Sequence, residues 1–231
     1  LIFAANFKMN HTRVSTTDYM LELEELLDNA KIDNRVIVFP PSVALLPSTN
    51  HIIIGTQNAY PARSGAFTGE IGLSQLEEFG IKTILIGHSE RREIFGESQE
   101  EIAKKFDYFK ENNFKIIYCI GEPLSVREQG ESAIFEYLWS QFDGIDLNHE
   151  KLIVAYEPIW AIGSGKSATP EDIDTVCKEL KSKIKAPIIY GGSVNSSNIK
   201  SITAIDSVDG VLVGSASLEA KNFFGLIENG R

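Results

Sequence analysis

Residues 152–166 read L-I-V-A-Y-E-P-I-W-A-I-G-S-G-K. The stretch opens on a short continuous apolar run, Leu152 to Ala155, with the composition of a buried strand. It ends at Glu157-Pro158, where proline stops the ladder, so a carboxylate stands at the C-terminal tip of the strand. Ile159-Trp160-Ala161-Ile162 follow, then Gly163-Ser164-Gly165-Lys166. The next helix is expected only from Pro170, capped by Thr169 with Asp172 three residues on. Roughly ten apolar and glycine-rich residues therefore hang between strand and helix, more than a usual βα loop holds. Such a segment gains nothing from water and makes sense as a lid. A carboxylate under a hydrophobic lid is a candidate base, because exclusion of water raises its pKa and sharpens its interactions.

Two nucleotide-binding patterns nearby fail on inspection. Gly165-Lys166-Ser167 resembles the end of a Walker A loop, but Trp160 stands where that pattern needs its first glycine. Gly163, Gly165 and Ala168 fit G-x-G-x-x-A, but they lie too far past the strand. The next strand ends at Tyr190-Gly191 with no acidic residue for a ribose.

Outward from this stretch, a strand-then-helix unit repeats. Strands are expected at 1–7, 36–39, 52–57, 83–87, 115–120, 152–156, 187–190 and 211–213. Helices are expected at 16–29, 97–112, within 123–142, at 170–185, and from about Asn195 and Ser217. Eight units of this kind suit an α/β fold, a (β/α)8 barrel, although a doubly wound open sheet has the same local pattern. The strands are continuous apolar runs, as a wall covered by helices requires. No linker or low-complexity tract divides the 231 residues, so one catalytic domain spanning 1–231 is expected.

Apolar residues make up 43% of the chain and charged residues 23%, ordinary for a globular protein. A net charge of −10 argues against nucleic acid and anionic membrane as partners. An anionic ligand would need a local positive spot. No apolar run is long enough to span a membrane, and Leu1-Ile2-Phe3 lacks the basic region of a signal peptide. The two cysteines, Cys119 and Cys177, form no disulfide framework, and a reducing cytoplasm is expected.

In a barrel, all strand C-termini open on one mouth. That places Asn6, Lys8, His88, Glu90, Glu157, Gly191-Gly192-Ser193 and Gly214-Ser215 together. Each has a plain reading as well: a solvated lysine, a satisfied core histidine, an ion-pair group at 90–92, ordinary βα turns. His11, His51 and His149 lack such context. The small-residue turns follow strands seven and eight, where barrels commonly hold phosphate on backbone N–H groups.

Several stretches together resemble the triosephosphate isomerase family along essentially the whole chain. They are A-N-F-K-M-N at 5–10, S-G-A-F-T-G-E at 64–70, I-G-H-S-E-R-R at 86–92 and C-I-G-E at 119–122. A-Y-E-P-I-W-A-I-G-S-G-K at 155–166, Y-G-G-S-V at 190–194 and V-G-S-A-S-L at 213–218 complete the set. The family is a standing example of pKa tuning for acid–base chemistry. The resemblance implies interconversion of dihydroxyacetone phosphate and D-glyceraldehyde 3-phosphate through an enediolate, with neither cofactor nor metal. It implies Glu157 as the base, His88 as a neutral imidazole donating to the carbonyl oxygen, and Lys8 as the cation that holds the developing charge. Asn6 would hydrogen-bond the substrate, and N–H groups of Gly163, Ser193, Gly214 and Ser215 would hold its phosphate. Glu90 would support Lys8, while Trp160 and Ile162 in the lid would exclude water. A homodimer through the loop 58–70, carrying Tyr60 and Phe67, is implied too. Two positions depart from the family's usual residues. Ser215 stands where a second glycine is usual, and Gly72 where a serine is usual.

Overall fold

A computed structural model describes residues 1–32, 36–162 and 167–230. Its strands are β1 (Ile2–Asn6), β2 (Val36–Phe39), β3 (Ile52–Ile54), β4 (Thr83–Ile86), β5 (Lys115–Ile120), β6 (Leu152–Tyr156), β7 (Ile188–Tyr190) and β8 (Gly210–Val213). Every pairing is parallel, in the order β3-β2-β1-β8-β7-β6-β5-β4. The two ends of that order meet at Thr56, which bridges to Ile84. Its N–H donates to Thr83 O at 2.9 Å and its carbonyl accepts from Leu85 N–H at 3.0 Å. This short seam closes the sheet and decides for the (β/α)8 barrel over the open sheet.

The helices are α1 (Arg13–Asn29), α2 (Leu73–Glu78), α3 (Ser89–Glu93), α4 (Gln99–Glu111), α5 (Leu124–Arg127), α6 (Glu131–Ser140), α7 (Pro170–Lys181), α8 (Ile199–Thr203) and α9 (Ala220–Asn229). α7 starts where the sequence places it, with Thr169 accepting from Asp172 N–H. α1 begins three residues earlier than expected, because Thr12 and Ser15 form a capping box. α2 lies in a unit for which no helix was expected. Its first residue follows Gly72, whose N–H is satisfied by Gln75 Oε1 at 2.9 Å. A Cβ at Gly72 would come within 2.6 Å of Ala62 O, so the serine usual here would not fit this loop path. α8 starts later than Asn195 because Asn195 and Asn198 are spent on a turn, with Asn195 N–H donating to Asn198 Oδ1.

Strand parity separates two cores. Ala4, Ile37, Leu85, Ile117, Cys119, Ile153, Ala155, Ile189 and Leu212 point into the barrel and pack on one another. Their alternates, such as Phe3, Val38, Ile116, Val154 and Val211, pack outward against the helices. The inward parity leads from Ala4 to Asn6 at the end of β1 and, past the strand ends, from Ala155 to Glu157, from Ile189 to Gly191 and from Leu212 to Gly214. No described helix is long and apolar enough to cross a membrane.

Candidate active site

Glu157 is held by the backbone before its side chain does anything. Its N–H donates to Ile120 O at 2.7 Å, and Gly191 N–H donates to Tyr156 O at 2.8 Å, so the ladder continues past the strand tip on both sides. The flanking strands contribute a glycine each. A Cβ at Gly121 would sit 1.8 Å from Glu157 O, and one at Gly191 would sit 2.6 Å from Glu157 Cγ. The carboxylate therefore occupies a slot that exists only because both neighbours lack side chains. Glu157 is only 3% exposed, and its Oε2 meets no hydrogen-bond partner among the described residues. Burial pushes its pKa up, opposed by His88, Lys8 and the Cys119 thiol beneath it. Burial likewise keeps Cys119 in its thiol form, consistent with a packed, unreactive residue.

His88 is both the end of the β4 connection and the N-cap of α3. Its Nδ1 accepts from Glu90 N–H at 3.1 Å. That bond occupies the Nδ1 lone pair, so the ring proton resides on Nε2. Nε2 lies 3.5 Å from Glu157 Oε1. This is longer than a hydrogen bond, so a donor and a carboxylate stand side by side on one wall of the cavity without pairing off.

Lys8 reaches the mouth through an uncommon backbone turn, with φ at 51°. Three bonds enforce it. Its N–H donates to Asn6 Oδ1 at 3.0 Å, and its carbonyl accepts from Gln57 Nε2 at 2.8 Å. The same Gln57 amide donates to Phe39 O at 2.8 Å, tying the ends of β1 and β2 together. The Lys8 ammonium rests on Glu90 Oε1 at 2.6 Å. Arg91 and Arg92 point elsewhere: Arg91 pairs with Glu97, and Arg92 donates to Gly87 O and Gln99.

Between these groups lies a cavity of about 140 Å³. Asn6, Lys8, His88 and Glu157 line one part, and Gly191, Gly192, Ser193, Gly214 and Ser215 another, with Ile162 at the rim. Ser215 opens a 3₁₀ turn, Ser215–Ser217, and is not among the residues with positive φ. The glycine usual at this position is therefore not required by the backbone, and the N–H is retained. The expected phosphate contact at Gly163 lies outside the described residues, as do Ser164, Gly165 and Lys166 of the lid.

The lid segment before Gly163 departs from expectation at Trp160. Ile162 does border the cavity, but the Trp160 indole turns away and donates to Glu122 Oε1 at 2.8 Å. Glu122 is fully buried and also accepts from Tyr156 OH at 3.1 Å. Arg127 stacks over the Trp160 ring at 5.2 Å and pairs with Asp172 at the start of α7. Trp160 thus anchors the segment that follows Glu157, because an indole N–H seeks an acceptor when buried. Burial raises the pKa of Glu122, opposed by these hydrogen bonds and by Arg127.

Glu122 and Gln57 are the working residues that sequence reasoning missed. Glu122 stood in view at the tip of β5 in C-I-G-E. Gln57 carried no local signal, since its role is to reach two carbonyls from distant strands.

Comparison with known proteins places these features in context. The chain matches the model of the triosephosphate isomerase family over residues 1–230. It is similar to the triosephosphate isomerase of Sulfurovum sp. (strain NBC37-1), 61% identical over 227 residues, covering 98% of this chain and 99% of that one. It is 53% identical over 228 residues to the triosephosphate isomerase of Sulfurimonas denitrificans, covering 99% of this chain and 95% of the relative. With the triosephosphate isomerase of Helicobacter hepaticus it shares 50% identity over 229 residues, 98% of this chain and 97% of the other.

Proposed function

Because the chain belongs to the triosephosphate isomerase family and interconverts dihydroxyacetone phosphate and D-glyceraldehyde 3-phosphate, a step of glycolysis, we propose that Glu157, His88 and Lys8 carry the proton transfers. The observation that carries this reading is the facing pair: a desolvated carboxylate and an Nε2–H donor 3.5 Å apart on one cavity wall. Enolisation needs that combination, a base beside the C–H and a donor at the carbonyl oxygen.

Glu157 removes a proton from the carbon next to the carbonyl, and the electron pair moves onto the carbonyl oxygen. His88 Nε2–H and the Lys8 ammonium stabilise that oxygen, with Asn6 as a further hydrogen-bonding partner. The hydroxyl proton of the first carbon passes to the former carbonyl oxygen, with His88 Nε2 placed to relay it, and Glu157 returns its own proton to the former carbonyl carbon, so that the new carbonyl stands on the first carbon. Glu90 holds Lys8 in place. N–H groups at Gly163, Ser193, Gly214 and Ser215 hold the phosphate, whose binding energy is spent on orienting the reacting carbons. Incubation with dihydroxyacetone phosphate in deuterated water tests the assignment. Aldehyde product carrying deuterium at the new C–H is expected, whereas no conversion and no exchange would reject it.

The working unit is proposed to be a homodimer of single-domain chains, residues 1–231 each, in the cytoplasm. The loop 58–70 packs on itself, with the Tyr60 and Phe67 rings 4.1 Å apart, yet leaves Phe67 partly exposed. Next to it a groove of about 650 Å³ runs past Met9, Asn10, Gly69, Glu70, Ile94 and Phe95. Met9 is 95% exposed and Ile94 and Phe95 about two-thirds, an apolar patch beside the active site that suits burial against a second copy. Sedimentation at low concentration should show a dimer whose dissociation lowers activity. A fully active monomer would remove this proposal. The location fits two buried, unpaired cysteines.

A further inference from the structure

We propose that His11 is a positioning residue that ties the loop carrying Lys8 to the turn that holds the phosphate. The proposal rests on the assignment of Gly214 and Ser215 to phosphate binding.

His11 has φ at 69°, three residues after Lys8 at 51°. Side chains rarely accept this backbone region, and Asn, Asp and His tolerate it best. Here the conformation serves to aim the ring. Its centroid lies 4.5 Å from that of Phe7 and 5.8 Å from that of Tyr19, both of them buried. From that wedge Nε2 reaches Leu218 O at 2.9 Å, and Nδ1 lies 3.0 Å from Ser15 Oγ. A carbonyl can only accept, so Nε2 carries the proton and the Ser15 hydroxyl donates to Nδ1. Ser15 Oγ in turn accepts from Thr12 N–H at 3.0 Å, so the capping box of α1 also orients the imidazole.

Leu218 terminates the 3₁₀ turn that begins at Ser215. The turn has few bonds of its own: Ser217 N–H to Gly214 O at 2.9 Å, Leu218 N–H to Ser215 O at 3.3 Å, and Ser217 Oγ back to Gly214 O and Val213 O. At its first end it continues β8. At its last end His11 holds the carbonyl of Leu218, across 207 residues of sequence. Fixing both ends of a single turn fixes where its leading N–H groups point. It also sets the distance between those donors and Lys8, which leaves the same loop as His11. Substrate spans that distance, with its phosphate at one end and its carbonyl at the other.

Three variants separate reach from backbone tolerance. His11→Gly accepts the φ and removes the tie. His11→Asn tolerates the φ, but its amide ends at the depth of Nδ1, short of Leu218. His11→Gln places an amide donor at the depth of Nε2. In His11→Gly and His11→Asn, KM and the inhibition constant of inorganic phosphate should rise about 3- to 10-fold, with kcat within about twofold, as for one lost hydrogen bond that acts on binding. His11→Gln should recover most of the loss. A purely structural role would instead lower the melting temperature and leave the phosphate inhibition constant alone. Unchanged phosphate inhibition in His11→Gly and His11→Asn, or equal weakening in all three variants, overturns the tie. In the unaltered protein, phosphate titration should shift the amide resonances of Gly214 and Ser215. If those amides do not respond, the phosphate assignment fails and the tie with it. If they respond while the variants inhibit normally, the tie alone is wrong.

Discussion

Glu157→Gln is expected to reduce turnover by about 10²–10⁴-fold, the usual contribution of a general base, while leaving affinity for a phosphate-bearing analogue close to wild type. The same substitution should stabilise the fold at neutral pH. Burial raises the Glu157 pKa above its ordinary 4.5. At pH below both values the folded and unfolded chains hold the proton alike, and the residue is neutral to stability. As pH climbs past 4.5, the unfolded chain ionises first, so ionisation favours unfolding until the pH passes the raised value. Glutamine removes that penalty. It keeps the shape of the side chain and brings no charge that burial must desolvate. The melting temperature of the variant should exceed that of wild type at neutral pH, with the gap closing as pH falls toward 4.5. Turnover within tenfold of wild type, roughly 1.4 kcal/mol or less in the barrier, would eliminate Glu157 as the base. A lower melting temperature at neutral pH would mean that Lys8 and His88 more than compensate the buried charge. Wild-type activity should fall on the acid side at a pH above the ordinary carboxylate range, because the base works only when ionised.

Lys8→Met should lower kcat/KM by about 10²–10³-fold, comparable to removing one preorganised charge-stabilising donor. Methionine is close in length and meets the same backbone at φ 51°, so the cost to folding is small. The loss is electrostatic and twofold. The developing oxyanion loses a cation, and Glu90 Oε1 loses its partner at 2.6 Å, leaving a carboxylate charge near the approaching anion. In a chain of net charge −10 nothing at long range compensates. Ionic strength supplies a second readout. Wild-type kcat/KM should decline as salt screens the attraction of Lys8 for the substrate dianion, and the variant should show a flatter dependence. Unchanged affinity for a phosphate analogue together with unchanged turnover would sink the assignment.

The lid shows where local reading reached its limit. A greasy, glycine-rich loop after Glu157 announced a cover, and Ile162 does border the cavity. Hydrophobicity could not say which apolar residue faces inward. Trp160 carries an N–H that burial forces toward an acceptor, and the acceptor, Glu122, comes from another strand tip. Loop 58–70 gave a similar half-answer. Its aromatics pointed to burial, but Tyr60 and Phe67 first pack on each other.

What the residues by themselves determined was periodic and chemical. Apolar runs placed strands β4 to β8 within a residue or two of their observed ends. Proline after Glu157 put a carboxylate at a strand tip, and glycines after β7 and β8 marked open turns. These are local consequences of dihedral preference, side-chain period and ladder chemistry, readable within ten residues. Closure of the barrel was not readable, because it depends on Thr56 meeting Ile84 after every strand has twisted and paired. Nor was the slot for Glu157, formed by Gly121 and Gly191 on neighbouring strands, or the proton position on His88, set by Glu90 N–H. Gln57 bridging two strand ends and His11 reaching Leu218 belong to the same class. Each is a short-range interaction, effective only within a few ångströms, between residues that the chain order keeps apart. Only the folded barrel brings them within that range.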